Sequence, residues 1–532
     1  MKRLFLCIIL LCSSAVFAGE LEDAIELYDG ESYEKAFTLF TGLCGQGNAV
    51  ACDYLGDMYF NEEYIAQDRV KSLNLYIQGC QGGFAPACAS AGDSYYFEYG
   101  TAKNAITAVE YYTGACEGGI GYACNNVGFL SETGEEIEKN TENAAAFYEK
   151  GCELGHGKAC ASLAYMYEVG NVFKQSYAEA MKYYEKACSS NNPAACRYKG
   201  NLFYQGKGTA TGKPEYAKAL EMYNRACEGK DGLGCRFSAE LYYEDKGVKV
   251  NHALMKDRYE KGCEYADAES CYQLGLRSQS GDGVQKDVSL AFTFMSLACN
   301  MDHYNACYLA GNLAYDDTLG FVINHNTAMM MFTKACDNNV SMACNNLGHM
   351  YDNARGVAED SKKALSLYQK SCDMGNELAC YNLAVSLLDE QPFNAERKQQ
   401  AFKIFEEGCN GTRSESCTNL GYMYAEGILT EKDYFKAFKY YSRSCDLNNG
   451  LGCNVVGNMY LDGRGVRADM VKALKFYERS CNLGYGSGCN NLAIAYADGN
   501  GVKVNRIKAK QFFGKACDLK EQKGCDNYKK MK

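Results

Sequence analysis

The sequence predicts an all-α solenoid of about fourteen stacked helix pairs, and three observations carry that prediction. Beyond residue 18, 28 cysteines fall into fourteen pairs whose members are eight residues apart; successive pairs step by 36 residues, with one step of 39 and two of 37. Alanine, aromatic and glycine positions recur in register with those cysteines at helical spacing. Only four prolines and no tryptophan occur in 532 residues, and scarce proline favours long helical content.

The pairs are Cys44 with Cys52, Cys80 with Cys88, Cys116 with Cys124, Cys152 with Cys160, Cys188 with Cys196, Cys227 with Cys235, Cys263 with Cys271, Cys299 with Cys307, Cys336 with Cys344, Cys372 with Cys380, Cys409 with Cys417, Cys445 with Cys453, Cys481 with Cys489 and Cys517 with Cys525. Eight residues before the first cysteine stands alanine in twelve copies (Ala36, Ala108, Ala144), and four before it an aromatic residue in thirteen (Phe40, Tyr76, Tyr112, Tyr148). Those positions share one face of a helix with the cysteine. Four residues after the second cysteine, the first thirteen copies have glycine or alanine (Gly56, Gly92, Gly128, Ala164), and seven after it nine have Tyr or Phe. A small residue opposite a ring lets helices approach without voids, so these rings and glycines read as packing, not as a cofactor box.

Each cysteine pair thus spans the end of one helix and the start of the next, across seven residues such as GQGNAVA or SSNNPAA. A staple of that loop size contributes roughly 2.5 kcal/mol in the chain-entropy treatment. Asn48, Asn192, Asp231, Asp267 and Asn376 stand four residues before the second cysteine, where an N-cap is wanted, and Pro193 suits a first turn. Connections such as SGDGVQKD, DGRGVRAD and DGNGVKVN carry glycines for backbone angles; no Lys-Ser/Thr follows and no strand precedes, so they are not phosphate cradles. The 39-residue step comes from extra residues in QGKGTATGKPEY. A compact chain of this length would split into three or four domains, whereas a repeat array escapes that limit and predicts one solenoid over residues 19–532.

Residues 1–18, MKRLFLCIILLCSSAVFA, have a basic head, an apolar run from Leu4 to Cys12, and Val16 and Ala18 at small-residue cleavage positions, the pattern of a secretory signal. A lipoprotein reading at Cys12 is weaker, because Leu11 stands where a small residue is wanted. Export agrees with 30 cysteines and no CxxC, too many thiols for a reducing cytosol without metal clusters. The expected location is secreted or periplasmic. No second apolar stretch approaches the roughly 18 residues of a membrane span. Losing Lys2 and Arg3 takes the formal charge from −11 to −13, which disfavours nucleic acid and mildly favours basic targets.

Strings such as YYEKACSSNNPAAC, FYERSCNLGYGSGCNNLAIAYADGNGVKVN and ACNNLGHMYDNARGVAED resemble Sel1-like repeats, and the paired cysteines narrow the resemblance to the Helicobacter cysteine-rich protein family. It covers nearly all of residues 20–532. The resemblance implies TPR-like helix-turn-helix repeats in a right-handed superhelix, secretion or periplasmic residence, and disulfides joining the pairs named above. It also implies a second function, since that family carries a label as penicillin-binding proteins with weak β-lactamase activity, with a β-lactam or peptidoglycan-related ligand. The residues give that label little: the only Ser-x-x-Lys is Ser32 to Lys35, at the start of a helix where a cap is expected, and no Ser-Asp-Asn or Lys-Thr-Gly accompanies it. His156, His252, His303, His325 and His349 are scattered along the chain without HExxH, so no metal and no cofactor is expected.

Positions two, five and nine after the second cysteine point away from the packing stripe, toward the inner groove that such solenoids use for recognition. Position two is asparagine in six copies, Asn126, Asn346, Asn382, Asn419, Asn491 and Asn527. A row of amides can pair with the backbone of an extended peptide, or can bond locally and fix neighbouring connections. Position five varies, with Phe129, Tyr165, Asn201, His349 and Tyr422 among its occupants. The expectation is an exported scaffold binding protein or peptide in that groove; the rivals are the β-lactam reading and a purely architectural role in the envelope.

Overall fold

The structure, a computed structural model, describes residues 19–316, 324–389 and 394–531. The segment read as an export signal, residues 1–18, lies outside the described residues. Among the described residues are 28 helices of 9 to 16 residues, from Tyr33–Gly45 to Gln522–Lys530, preceded by helical residues 19–29, and no strand. They form fourteen pairs. The chain divides into two compact units, Met1–Asp287 and Val288–Lys532, with seven pairs in each. Within each unit every helix packs on the helix before and the helix after it.

Local chemistry sets the helix ends. The second helices beginning at Ala49, Pro193, Gly232 and Ala268 are capped by Asn48, Asn192, Asp231 and Asp267, whose side chains accept the N–H of Ala51, Ala195, Gly234 and Ser270. Asn376 accepts from Ala379 in the same way. First helices are capped as consistently, for example by Asp68, Asn104, Asn140 and Asp469. Each such cap contributes about 1 kcal/mol. Between repeats, Gly281 and Gly283, Gly463 and Gly465, and Gly499 and Gly501 all have φ between 67° and 83°, the left-handed region closed to most side chains, which is why G-x-G recurs there.

One disulfide closes each repeat, joining a cysteine near the end of the first helix to the one eight residues on. In the first unit the bridges are Cys44–Cys52, Cys80–Cys88, Cys116–Cys124, Cys152–Cys160, Cys188–Cys196, Cys227–Cys235 and Cys263–Cys271. In the second they are Cys299–Cys307, Cys336–Cys344, Cys372–Cys380, Cys409–Cys417, Cys445–Cys453, Cys481–Cys489 and Cys517–Cys525. These are the pairs that the spacing marks out. Their Cα–Cα separations run from 4.4 to 4.8 Å, within the span a disulfide bridges.

The core is a recurrent contact. Tyr112, Tyr148, Tyr184 and Tyr259 are among the largest fully buried side chains, as are Phe332 and Phe405. In eight repeats the ring before the first cysteine meets a glycine of the preceding repeat, not one in its own pair: a Cβ at Gly56 would lie 2.6 Å from Cε1 of Tyr76, and one at Gly128 the same distance from Cε1 of Tyr148. The small residue therefore welds repeat to repeat, while the sulfurs tie the two helices within a repeat.

Candidate binding face

Direct contact between non-adjacent helices runs mainly through the second helices: Ala49–Asn61 touches Ala85–Tyr96 and Gly121–Thr133 touches Gly157–Val169 in the first unit, and Gly450–Asp462 touches Gly486–Asp498 in the second. Among the first helices of the described residues, only Tyr216–Glu228 and His252–Glu264 approach comparably. In each unit the second helices thus crowd together on one side, and their outward residues form a continuous face there.

In the first unit that face carries Phe129 and Tyr165, 44% and 54% exposed, with half-buried Asn126 accepting a long bond from Asn125 Nδ2 (3.5 Å). In the second unit Tyr422 is 47% exposed. The asparagines of the second unit bond sideways to the preceding repeat. Asn346 Nδ2 donates to Asn312 Oδ1 (2.9 Å), Asn382 to Asn345 (2.8 Å), Asn491 to Asn454 (2.9 Å) and Asn527 to Asn490 (3.0 Å), while Asn419 donates to the Tyr381 hydroxyl (3.3 Å). The amide row is a ladder across repeats, and a ligand bonding to it must use donors the ladder does not occupy.

Near the start of the first unit the face is acidic. Asp57 accepts the Tyr76 hydroxyl (2.7 Å), Asp93 accepts that of Tyr112 (2.6 Å), and Tyr122 reaches Asp93 from the other side (3.5 Å). Burial raises both carboxyls above their ordinary range, and the tyrosine bonds offset part of the rise. Asp53 is 8% exposed, and its Oδ1 has no hydrogen-bond partner. Burial, together with the charge of Asp57, pushes Asp53 up to about 7. A basic group arriving here would favour the ionised forms that burial disfavours. Asp57 and Asp93 also line a cavity of about 420 Å³ walled by Phe60, Phe97 and Tyr99.

Nothing in the sequence pattern announces the role of the tyrosine hydroxyls. Seven of the buried rings pass their hydroxyl to an acceptor on the preceding second helix: Tyr76 to Asp57, Tyr112 to Asp93, Tyr148 to Glu132, Tyr184 to Glu168, Tyr223 to Asn201, Tyr368 to Asp352 and Tyr477 to Asn458. Where the ring is Phe405, the buried cluster it belongs to includes Leu383, Ala384 and Leu387 of that helix.

Ser32 is the N-cap residue of Tyr33–Gly45 but makes no side-chain cap bond; its carbonyl accepts from the N–H of Lys35 and Ala36. Nothing in the arrangement supports the β-lactamase reading. The histidines serve locally: His303 Nδ1 caps its helix by accepting from Ala306 N–H, and His349 Nδ1 lies 2.9 Å from the Tyr315 hydroxyl. Burial lowers the pKa of His349 and of His156. Among the described residues no three His, Cys, Asp or Glu side chains converge in a way that could hold a metal, and no helix is long and apolar enough to cross a membrane. Fourteen disulfides fit an extracytoplasmic compartment.

The Sel1 repeat pattern matches eleven segments of the chain, at residues 49–84, 85–120, 121–156, 157–192, 193–231, 268–303, 305–340, 341–376, 414–449, 450–485 and 486–521. Among solved structures the fold is similar to a protective antigen of uropathogenic Escherichia coli with an SLR fold, at TM-score 0.60 and 23% identity over 86% of this chain and 95% of that one. Helicobacter pylori cysteine rich protein B aligns at 28% identity over 26% of this chain and 98% of its own, with a TM-score of 0.22. Cytochrome c oxidase assembly factor 7 of Danio rerio is 31% identical over 110 residues, which are 20% of this chain; the chain spans about half (48%) of the length of that curated relative. With the repeat pattern covering most of its length, the chain belongs to the Sel1 repeat family, scaffolds of the kind that mediate protein–protein interaction.

Proposed function

We propose that the protein is an exported scaffold that binds an extended protein segment along the second-helix face and performs no chemistry of its own. The observation that carries this reading is the exposure of large rings on this face, Phe129 and Tyr165 in one unit and Tyr422 in the other, where most residues at the same repeat position are half-buried. Rings with few rotatable bonds make strong anchors at low entropic cost. Asn126, Asn346, Asn382, Asn419 and Asn491 would supply polar contacts beside them. The carboxyls of Asp53, Asp57 and Asp93 favour a basic stretch of the partner over the first unit, in keeping with the negative net charge.

A photoreactive phenylalanine analogue placed at residue 165, 422 or 507 of the oxidised protein tests the proposal. Cross-links to envelope or secreted proteins should concentrate at 165 and 422. Equal labelling from 507, on a first helix, would overturn the face assigned here. An architectural role is favoured by one observation, the exposure of Phe435 (73%), Val471 (55%) and Ile507 (76%) at one position of three successive first helices. It predicts self-association that light scattering detects across a concentration series and that Phe435→Glu abolishes.

A further inference from the structure

At the turn edge of the second unit one repeat departs from the pattern of its neighbours. Two residues before the first cysteine, most repeats have a cation or an amide, and in four of them the side chain reaches back to the first-cysteine carbonyl of the preceding repeat. Gln78 donates to the carbonyl of Cys44 (3.2 Å), Lys334 to Cys299 (2.7 Å), Lys370 to Cys336 (2.8 Å) and Arg443 to Cys409 (2.8 Å). In the last three the bond places a positive charge over the C-terminal end of a helix, where the macrodipole and the spare carbonyl lone pairs attract it. In the eleventh repeat that residue is Glu407, which cannot donate. Among the described residues no side chain reaches the Cys372 carbonyl, which accepts the N–H of Gly375.

The connection of the same repeat is also irregular. In the other thirteen repeats the residue three after the first cysteine has a left-handed backbone, as at Gly375 (φ 82°) and Asn448 (φ 63°), but Thr412 does not. The helix Ala395–Asn410 instead runs to sixteen residues and ends on Gly411.

Together these departures leave a cavity of about 220 Å³ bounded by the Cys372–Cys380 disulfide, Tyr381, Ile404, Glu407 and Arg413. Its one cation, Arg413, directs its guanidinium at Glu377 (3.7 Å) and lies 5.8 Å from the centre of the Tyr381 ring. With Glu377 so matched, Glu407 and the helix end remain as uncompensated negative charge beside an apolar wall.

We propose that this cavity receives the basic side chain of a partner protein, the ammonium taking the place that Lys334, Lys370 and Arg443 fill for the neighbouring repeats. The chain's own repeats supply the argument for the occupant: an aliphatic stem with a cationic tip is what fits this niche one repeat before and one repeat after. The proposal does not depend on the second-helix face, so either can fail alone.

A fluorescein-labelled Ala-Lys-Ala peptide, titrated by anisotropy against the oxidised full chain, is the test. Binding should be saturable and weaken about tenfold on acetylation of the lysine Nζ. Glu407→Lys should fill the niche from within, lose binding about tenfold, and melt at or above the wild-type midpoint. Glu478→Lys, the same charge change on an exposed stretch of helix, should bind as wild type. Absence of saturable binding, indifference to acetylation, equal loss in both variants, or a lower midpoint for Glu407→Lys would each overturn the proposal.

Discussion

Changing Gly128 to alanine tests whether the small residue exists to admit the ring of the next repeat. A Cβ there would stand 2.6 Å from Cε1 and 2.7 Å from Cδ1 of Tyr148, about 1 Å inside ordinary carbon–carbon contact. Tyr148 is 1% exposed and its hydroxyl is held by Glu132 at 2.8 Å, so the ring cannot swing clear without losing that bond. Overpacking of this kind costs about 1–3 kcal/mol, while glycine to alanine inside a helix returns about 1 kcal/mol. The expected net effect is a loss of up to about 2 kcal/mol. In a Tyr148→Ala background the clashing atoms are gone, and the same Gly128→Ala change should stabilise by up to about 1 kcal/mol. The sign should invert. A long repeat array does not unfold in two states, so the measure is the local opening free energy of residues 121–153 from native-state hydrogen exchange. Equal effects of Gly128→Ala in both backgrounds would refute the reasoning.

Replacing both Cys116 and Cys124 by alanine should lower the opening free energy of their repeat by about 2.5 kcal/mol and that of distant repeats hardly at all, as exchange with and without reductant would show. Asp53 is pushed up to about 7 from an ordinary value of 3.8, so the folded chain holds its proton more tightly than the unfolded chain. Stability from this group is then full below about pH 4 and lost as the pH rises to about 7; Asp53→Asn should flatten that part of the melting profile and raise the midpoint at pH 8. Asn382→Ala leaves the Oδ1 of Asn345, a residue only 6% exposed, without its partner. It should cost about 1–3 kcal/mol in urea unfolding, whereas Asn382→Ala with Asn345→Ala should recover part of that loss.

The repeat and its helix boundaries were legible because they rest on local rules. Asn48, Asn192 and Asp231 cap where their spacing from a cysteine puts them, and the turn glycines take the backbone angles their recurrence implies. The candidate face was less legible, because a residue's outward direction says nothing of its lateral neighbours. Asn382 and Asn491 point where helical geometry sends them, yet each is engaged by an asparagine of the preceding repeat that a single-helix projection leaves out. The acidic start of the first unit escapes the sequence for a related reason. Asp57 and Asp93 sit 36 residues apart in the chain, and their surroundings are set by Tyr76, Tyr112 and Tyr122 from neighbouring helices. The niche at Glu407 was not legible in the sequence, since only the bonds of Lys370 and Arg443 reveal what its position does in neighbouring repeats.

Every bridged sulfur finds its partner within the same nine-residue stretch of chain. Oxidation can therefore proceed stretch by stretch as the polypeptide emerges, with the correct thiol always the nearest one. The same locality makes the gene tolerant of copying: a duplicated or deleted 36-residue block carries its own bridge and strands no thiol elsewhere. Lineages can lengthen or shorten such a protein without rewiring its covalent framework.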